Sequence, residues 1–435
     1  MFSITRDALG PNFLFGAATS AYQIEGGQGD GRGSSIWDTF SATPGNVKNA
    51  ANGAVACDHY NRWPEDLDLI RDAGFAAYRF SLAWPRLIPE GTGAVNQAGL
   101  DFYDRLIDGM LERGLAPYAT LYHWDLPSAL QDKGGWMNRD IASWFADYAA
   151  LVASKFGNRL KAIATINEPW CVAWLSHYLG VHAPGYRDVR AAAHAMHHVL
   201  LAHGTAIDAM RAEGAMNLGI VLNLEKAEPA SPSAEDQLAF EYGDAIFNGW
   251  YLGGVFKGRY PEILTNVLEP YLPANYQRDM EIVSRPLDWL GINYYTRGLY
   301  KHDPSRPLFP ITQIKGDRPK NDLGWEIYPE GLTDLLVRVS RDYTKLPIYV
   351  TENGMSETDD ARRVAFYDDH LKAVANAQAQ GADVRGFFAW SLLDNYEWAE
   401  GYTSRFGIVD VDYETQKRTP KGSYRAFQGM LHNTR

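Results

Sequence analysis

Eight short apolar runs recur along this chain, each followed by a longer stretch of helical periodicity, and none alternates cleanly with polar residues. Strands of that kind must be covered on both faces, as parallel strands in α/β folds are. The runs lie near Phe13 to Ala17, Ala77 to Phe80, Pro117 to Leu121, Ala162 to Ile166, Leu218 to Leu222, Trp289 to Ile292, Ile348 to Val350 and Gly386 to Ala389. Helices are expected at about Pro64 to Ala73, Gln97 to Arg113, Arg139 to Phe156, Val189 to Glu213, Ala234 to Phe256, Glu330 to Tyr343, Ala361 to Gln380 and from Gly422 onward. Five of these end on a glycine, at Gly74, Gly114, Gly157, Gly214 and Gly381, where a left-handed residue closes a helix at no steric cost. Asn138 ahead of Arg139, and Ser233 with Asp236 three residues on, mark helix starts.

The chain's 435 residues leave two domains or one large barrel open on length alone. Eight βα units predict the second: an α/β fold, a single (β/α)₈ TIM barrel over residues 1–435, with its active site at the C-terminal ends of the strands. The competitor is a doubly wound open sheet, which would carry a Gly-rich phosphate loop directly after its first strand. The run Gly26-Gly27-Gln28-Gly29-Asp30-Gly31-Arg32-Gly33 comes several residues later and opens no clear helix. Lys301 to Asp322, rich in Pro and charge, is too long for an ordinary connection and is predicted to be a loop over the active face.

A formal net charge of −12 opposes a polyanionic partner, so no nucleic acid is expected. Only Cys57 and Cys171 are present, the N-terminal residues lack a secretory apolar stretch, and no segment reaches the roughly 18 apolar residues of a membrane span. The reading is a cytoplasmic protein with no membrane partner; its oligomeric state is not legible. His194, His197, His198 and His203 fall on an outer helix, and Cys57-Asp58-His59 has no second half of a zinc site. No metal and no organic cofactor are predicted.

In a barrel, the residues at the strand ends carry the chemistry. Here they are Gln23 just beyond the first strand, then Arg79, His123, Asn167 with Glu168, Asn223, Asn293 with Tyr295, Glu352 and Trp390. All are polar or aromatic, which suits a sugar: polar groups bond hydroxyls, and a flat ring meets the C–H face of a pyranose. Glu168 in Thr165-Ile166-Asn167-Glu168-Pro169 and Glu352 in Val350-Thr351-Glu352-Asn353-Gly354 each end a buried run, where desolvation makes a carboxyl costly. Two such carboxyls fit glycoside hydrolysis.

Longer motifs carry a resemblance. Phe15 to Gly26 (FGAATSAYQIEG), Tyr78-Arg79-Phe80-Ser81, Leu121 to Pro127 (LYHWDLP) and Trp390 to Trp398 (WSLLDNYEW) make the chain similar to glycoside hydrolase family 1, the β-glucosidase and β-galactosidase family, over essentially its whole length. The resemblance implies Glu352 as nucleophile and Glu168 as acid/base, with Arg79, Asn293 and Tyr295 supporting them. It implies that Asn167 and Asn293 bind the 2-hydroxyl and that Gln23, His123, Glu397 and Trp398 bond the 3-, 4- and 6-hydroxyls. Trp390 would form the stacking floor, and Trp124 and Phe406 join the substrate-binding set. Trp170, Leu175 and Trp325 match positions lining the entrance. Asn223 stands between a turn residue and a sugar contact there, Arg79 could instead be a barrel-floor salt bridge, and Cys171 reads as an unreactive small buried hydrophobe, with contact to the aglycone as the alternative.

The implied activity is retaining exo-hydrolysis of terminal β-D-glucosyl residues, with β-galactosides and β-fucosides as further candidates. Partners would be small-molecule β-glycosides and short oligosaccharides such as cellobiose. Relatives that cleave 6-phosphoglycosides carry serine and lysine around the position of Glu397, so unphosphorylated O-glycosides are expected. Alternatives are an endo-acting barrel glycosidase and a non-catalytic sugar-binding protein on the same barrel.

Overall fold

The computed structural model describes residues 1–27, 29–306 and 308–432. Gln28 of the glycine-rich run and Pro307 of the expected loop lie outside the described residues. Eight parallel strands close a barrel: β1 (Leu14–Ala18), β2 (Ala77–Ser81), β3 (Ala116–Tyr122), β4 (Ala162–Asn167), β5 (Leu218–Asn223), β6 (Trp289–Asn293), β7 (Ile348–Asn353) and β8 (Val384–Trp390). Each pairs with its neighbours in chain order, and β1 closes on β8, with Phe15 opposite Phe387. The eight expected runs are these strands.

The barrel interior is plugged at its lower end by Tyr118, Trp289 and Phe388 among small residues such as Ala77, Ala162 and Ala164. Glycines make room for the rings: a Cβ on Gly16 would lie 2.5 Å from the Phe388 ring, and one on Gly219 would lie 2.6 Å from the Trp289 ring. A larger apolar core lies between the strands and the surrounding helices. Filling the lower barrel leaves only its upper end for a ligand.

Several helix boundaries differ from expectation. The first long helix spans His59–Asp72 with Pro64 inside it, so Pro64 does not mark its start. Gly74, Gly114, Gly214 and Gly381 have left-handed φ of 71° to 92°, but Gly157 keeps a right-handed φ of −55° at its helix end. Asn138 caps no helix; it accepts from Asp140 N–H at 2.9 Å, one turn ahead of the helix Ile141–Phe156. Ser233 does cap, accepting from Asp236 N–H at 3.2 Å, while the Asp236 carboxylate turns to Ser231 and His302 instead of closing the box.

The predicted helix from Ala234 to Phe256 is interrupted by a wide turn at Ala245–Gly249. That turn points Asn248 at the backbone of Glu225, with bonds of 3.1 and 2.9 Å. Nor is Lys301 to Asp322 a plain loop. Arg297–His302 and Ile311–Ile314 pair antiparallel, and Lys226–Pro229 adds a parallel third strand. Among the described residues, no helix is long and apolar enough to cross a membrane.

Candidate active site

The upper ends of β4 and β7 are irregular where they carry the two glutamates. Pairing slips by a residue between Ala164 and Asn167 against β5, and between Val350 and Glu352 against β6. Such bulges re-aim side chains next to binding sites. Glu168 itself has φ 52°, a left-handed backbone that costs a non-glycine residue of order 1 kcal/mol. It is held there by its N–H on the Val221 carbonyl at 2.9 Å and by Val172 N–H on its own carbonyl at 3.2 Å. Trp124 (φ 82°) and Trp398 (φ 49°) share this conformation.

A bridge of polar side chains joins the carboxyls. Arg79 Nη1 donates to Glu352 Oε1 at 2.6 Å, and its Nη2 donates to Asn167 Oδ1 at 2.7 Å. Asn293 Nδ2 donates to that same Asn167 oxygen at 3.1 Å and to Glu168 Oε1 at 2.6 Å. Tyr295 O–H donates to Glu352 Oε2 at 2.5 Å. The two carboxyls therefore sit in different surroundings. Glu352 has a cation and a hydroxyl donor; Glu168 has an amide and a thiol, Cys171 Sγ at 3.0 Å from Oε2.

Burial pushes the pKa of both glutamates up. For Glu168 the charge of Glu352 adds to the rise, whereas Arg79 and Tyr295 hold Glu352 back. Of the two, Glu168 has the surroundings that favour the protonated form. Burial, and then the charges of Glu352 and Glu168, push Glu397 up to about 8.

Glu168 and Glu352 open on a cavity of about 650 Å³. Most of the expected site residues line it: His123, Trp124, Trp170, Leu175, Asn223, Asn293, Tyr295, Trp325, Trp390, Glu397, Trp398 and Phe406. Gln23, Arg79 and Asn167 are buried and bonded to residues of that lining. Arg79 and Asn167 belong to the bridge, and Gln23 Nε2 donates to Tyr396 O at 3.0 Å and faces Glu397 Oε2 at 3.4 Å. Trp124 spends its indole N–H on the Asn167 carbonyl at 3.0 Å, which leaves its ring face for contact. His123 stacks between Trp390 and Trp398, with ring planes 12° and 15° apart.

Three polar atoms on the lining residues, His123 Nδ1, Trp170 Nε1 and Asn223 Oδ1, are buried with no hydrogen-bond partner among the described residues. Buried polar atoms are nearly always paired, so these three are free to bond hydroxyl groups entering the cavity. A polyhydroxylated ring with apolar C–H faces has both features the wall offers.

The sequence reading missed several residues. Cys171 is no inert hydrophobe, since its thiol contacts Glu168; its spacing three residues after the glutamate on a turn beginning at Pro169 was the available signal. Glu225, whose carboxylate takes Tyr300 O–H and Gln313 Nε2, lines the outer cavity with Phe247, and no local motif announces either. His197 and His203 serve packing, bonded to Asp279 at 2.9 Å and to Thr165 at 2.7 Å.

Comparison with known proteins gives the chain's family. A family profile described as glycosyl hydrolase family 1 matches residues 5–435. The chain is 48% identical to beta-glucosidase A of Thermotoga maritima, over 97% of each chain. It is 42% identical to a bifunctional beta-D-glucosidase/beta-D-fucosidase of Bifidobacterium breve, over 96% of this chain and 97% of that one. A solved structure of the Thermotoga maritima family 1 b-glucosidase with isofagomine lactam superposes with a TM-score of 0.94 at 47% identity, covering 97% of this chain and 98% of that one.

Proposed function

This chain belongs to glycosyl hydrolase family 1, and on that premise we propose that it is a retaining exo-β-glucosidase with Glu352 as nucleophile and Glu168 as acid/base. The observation that carries the assignment is the asymmetry of donors on the two carboxyls: Arg79 and Tyr295 on Glu352, Asn293 and Cys171 on Glu168. A cation and a hydroxyl donor favour the ionised form that attacks the anomeric carbon, and the group left with the higher proton affinity protonates the departing glycosidic oxygen. The glycosyl–Glu352 ester then forms with inversion. Glu168, now ionised, takes a proton from water as the water attacks the same carbon, and the second inversion restores the starting configuration.

Asn293, already bonded to Glu168, is within reach of the 2-hydroxyl of a sugar bound between the carboxyls, a contact that strengthens as the oxocarbenium-like state develops. Glu397, backed by Gln23 and adjoining Trp398, lines the cavity as a buried carboxyl able to hold sugar hydroxyls, which suits release of single residues from a chain end. No cation pairs with Glu397 among the described residues, so a 6-phosphate placed at that carboxyl would find no counter-charge there. The substrates proposed are unphosphorylated β-glucosides, short cello-oligosaccharides such as cellobiose among them. The relative named for both β-D-glucosidase and β-D-fucosidase favours tolerance at the 4- and 6-positions.

Replacing Glu352 by Gly should abolish hydrolysis, and azide added to that variant should yield the α-glucosyl azide from an activated aryl β-glucoside. A β-azide would remove Glu352 from the nucleophile's role. A rate panel over aryl β-glucoside, galactoside, fucoside and 6-phosphoglucoside tests the glycone; fastest turnover of the phosphorylated sugar would overturn the substrate class.

A further inference from the structure

We propose that Cys171 is a positioning residue for Glu168: its thiol, anchored by Asn223, holds the Oε2 edge of the carboxyl and favours its ionised form, setting the pH at which acid catalysis is lost. The inference rests on the acid/base reading of Glu168 given above.

The local chain builds the contact. Pro169 starts a turn directly after Glu168, and Val172 N–H closes it on the Glu168 carbonyl, so that the side chain three residues on folds back over the carboxyl. Cys171 Sγ lies 3.0 Å from Oε2. On its other side Asn223 Nδ2, at 3.7 Å, donates to the sulfur. The sulfur accepts from the amide, so its single hydrogen is directed at Glu168. Burial, and next the charge of Glu168, push the thiol pKa well up, so Cys171 stays protonated and acts as a donor rather than a nucleophile.

Among the described residues, Asn293 and Cys171 are the two donors bonded to the Glu168 carboxyl, one on each oxygen. The charged and titratable groups facing it from other elements are Glu352 and Glu397, Arg79 and Tyr295; the Tyr251 hydroxyl faces Cys171. All of them remain when Cys171 is changed.

Asn223 Oδ1 extends the chain outward. It is buried, lines the cavity and has no partner among the described residues. A leaving-group hydroxyl donating to it would polarise the same amide that donates to Cys171. Contact with the departing sugar is thereby passed to the group that must protonate it.

The test is the pH dependence of kcat/KM on cellobiose for the wild type, Cys171→Val and Cys171→Ser. Removing a donor to the carboxylate raises the Glu168 pKa, and protonated Glu168 is the active acid, so the alkaline limb of Cys171→Val should move up. A thiol is a weak donor, so the expected shift is about half a unit, seen as an about threefold gain relative to the variant's own maximum on the alkaline side. Cys171→Ser keeps a donor, and its limb should stay at or below the wild-type position. A limb in Cys171→Val that stays put or moves down overturns the proposal, as does an equal upward shift in both variants. If Cys171→Val does not fold, Cys171→Ala is read by the same criteria. Glu168→Ala is run alongside on aryl and alkyl glucosides. Equal losses on both would sink the acid/base reading itself, whereas a leaving-group-dependent loss with an unmoved limb sinks only the role of Cys171.

Discussion

Replacing Tyr295 by Phe isolates the electrostatics of the nucleophile. The phenol O–H donates to Glu352 Oε2 at 2.5 Å in a buried site, and its own pKa is pushed well above the ordinary value, first by burial and then by the charge of Glu352. It is therefore a permanent donor to the carboxylate. A hydrogen bond to a charged group contributes about 1.5–3 kcal/mol, and one pKa unit corresponds to about 1.36 kcal/mol, so its loss should raise the Glu352 pKa by about 1–2 units. The ionised form is the nucleophile, so the acid limb of the rate profile must move upward by the same amount. Arg79 still bonds the other oxygen, which limits the shift.

The assay is kcat/KM against pH on 2,4-dinitrophenyl β-glucoside. That leaving group needs little protonation, so the profile reports Glu352 rather than Glu168. At a pH one unit below the wild-type limb, the variant should have lost a further tenfold or more relative to its own plateau. A plateau that falls while the acid limb stays in place would mean that Tyr295 orients substrate without tuning the nucleophile. A limb that moves down would contradict the assigned charge state of Glu352.

Further outcomes follow from the same geometry. Glu168→Ala should lower the rate on alkyl glucosides by about 10²–10⁴-fold and that on dinitrophenyl glucoside far less in the glycosylation step, measured as kcat/KM for each. Glu397 is raised from 4.5 to about 8, so it binds more protons folded than unfolded in that window; its contribution to stability is full below about 4.5 and is lost as pH rises toward 8. Glu397→Gln should consequently gain melting temperature over the wild type as pH rises from 5 to 8, while losing glucoside turnover; a gain that shrinks with pH would refute the sign. In Gly354→Ala the new Cβ would lie 1.7 Å from the Trp390 carbonyl, so the stacking floor must shift, and calorimetry should show a lower melting temperature together with a raised KM.

The barrel was legible because eight apolar runs, each bounded by turn residues, repeat one local instruction, and closing them requires no information beyond the count. What was not legible arises where backbone deviates from that instruction. The wide turn at Ala245–Gly249 exists because Asn248 satisfies the Glu225 backbone from across the fold, a partner 23 residues away that periodicity does not reveal. The strand pair Arg297–His302 and Ile311–Ile314 hides in a segment whose Pro and charge content reads as loop, since its stability comes from packing Tyr300 against Glu225 and Gln313.

The site divides in the same way. Glu168, Glu352, His123 and Glu397 sit in motifs long enough to be recognised, but the bonds that Gln23, Arg79 and Asn167 make depend on pairings between strands far apart in sequence. Cys171 shows the limit most clearly. As a residue type it is a small apolar filler, and only the left-handed backbone at Glu168 and the turn begun by Pro169 bring its sulfur to the carboxyl. The reaction and the supports of Glu352, Arg79 and Tyr295, are thus carried by motifs, whereas the thiol on Glu168 comes from a neighbour whose identity alone says nothing. It follows that substitutions at Arg79, Tyr295 and Cys171 should shift pH limbs, and substitutions at His123 and Trp398 should change which sugar is turned over while leaving the limbs nearly in place; Glu397, whose charge is coupled to Glu168 and Glu352, should move both.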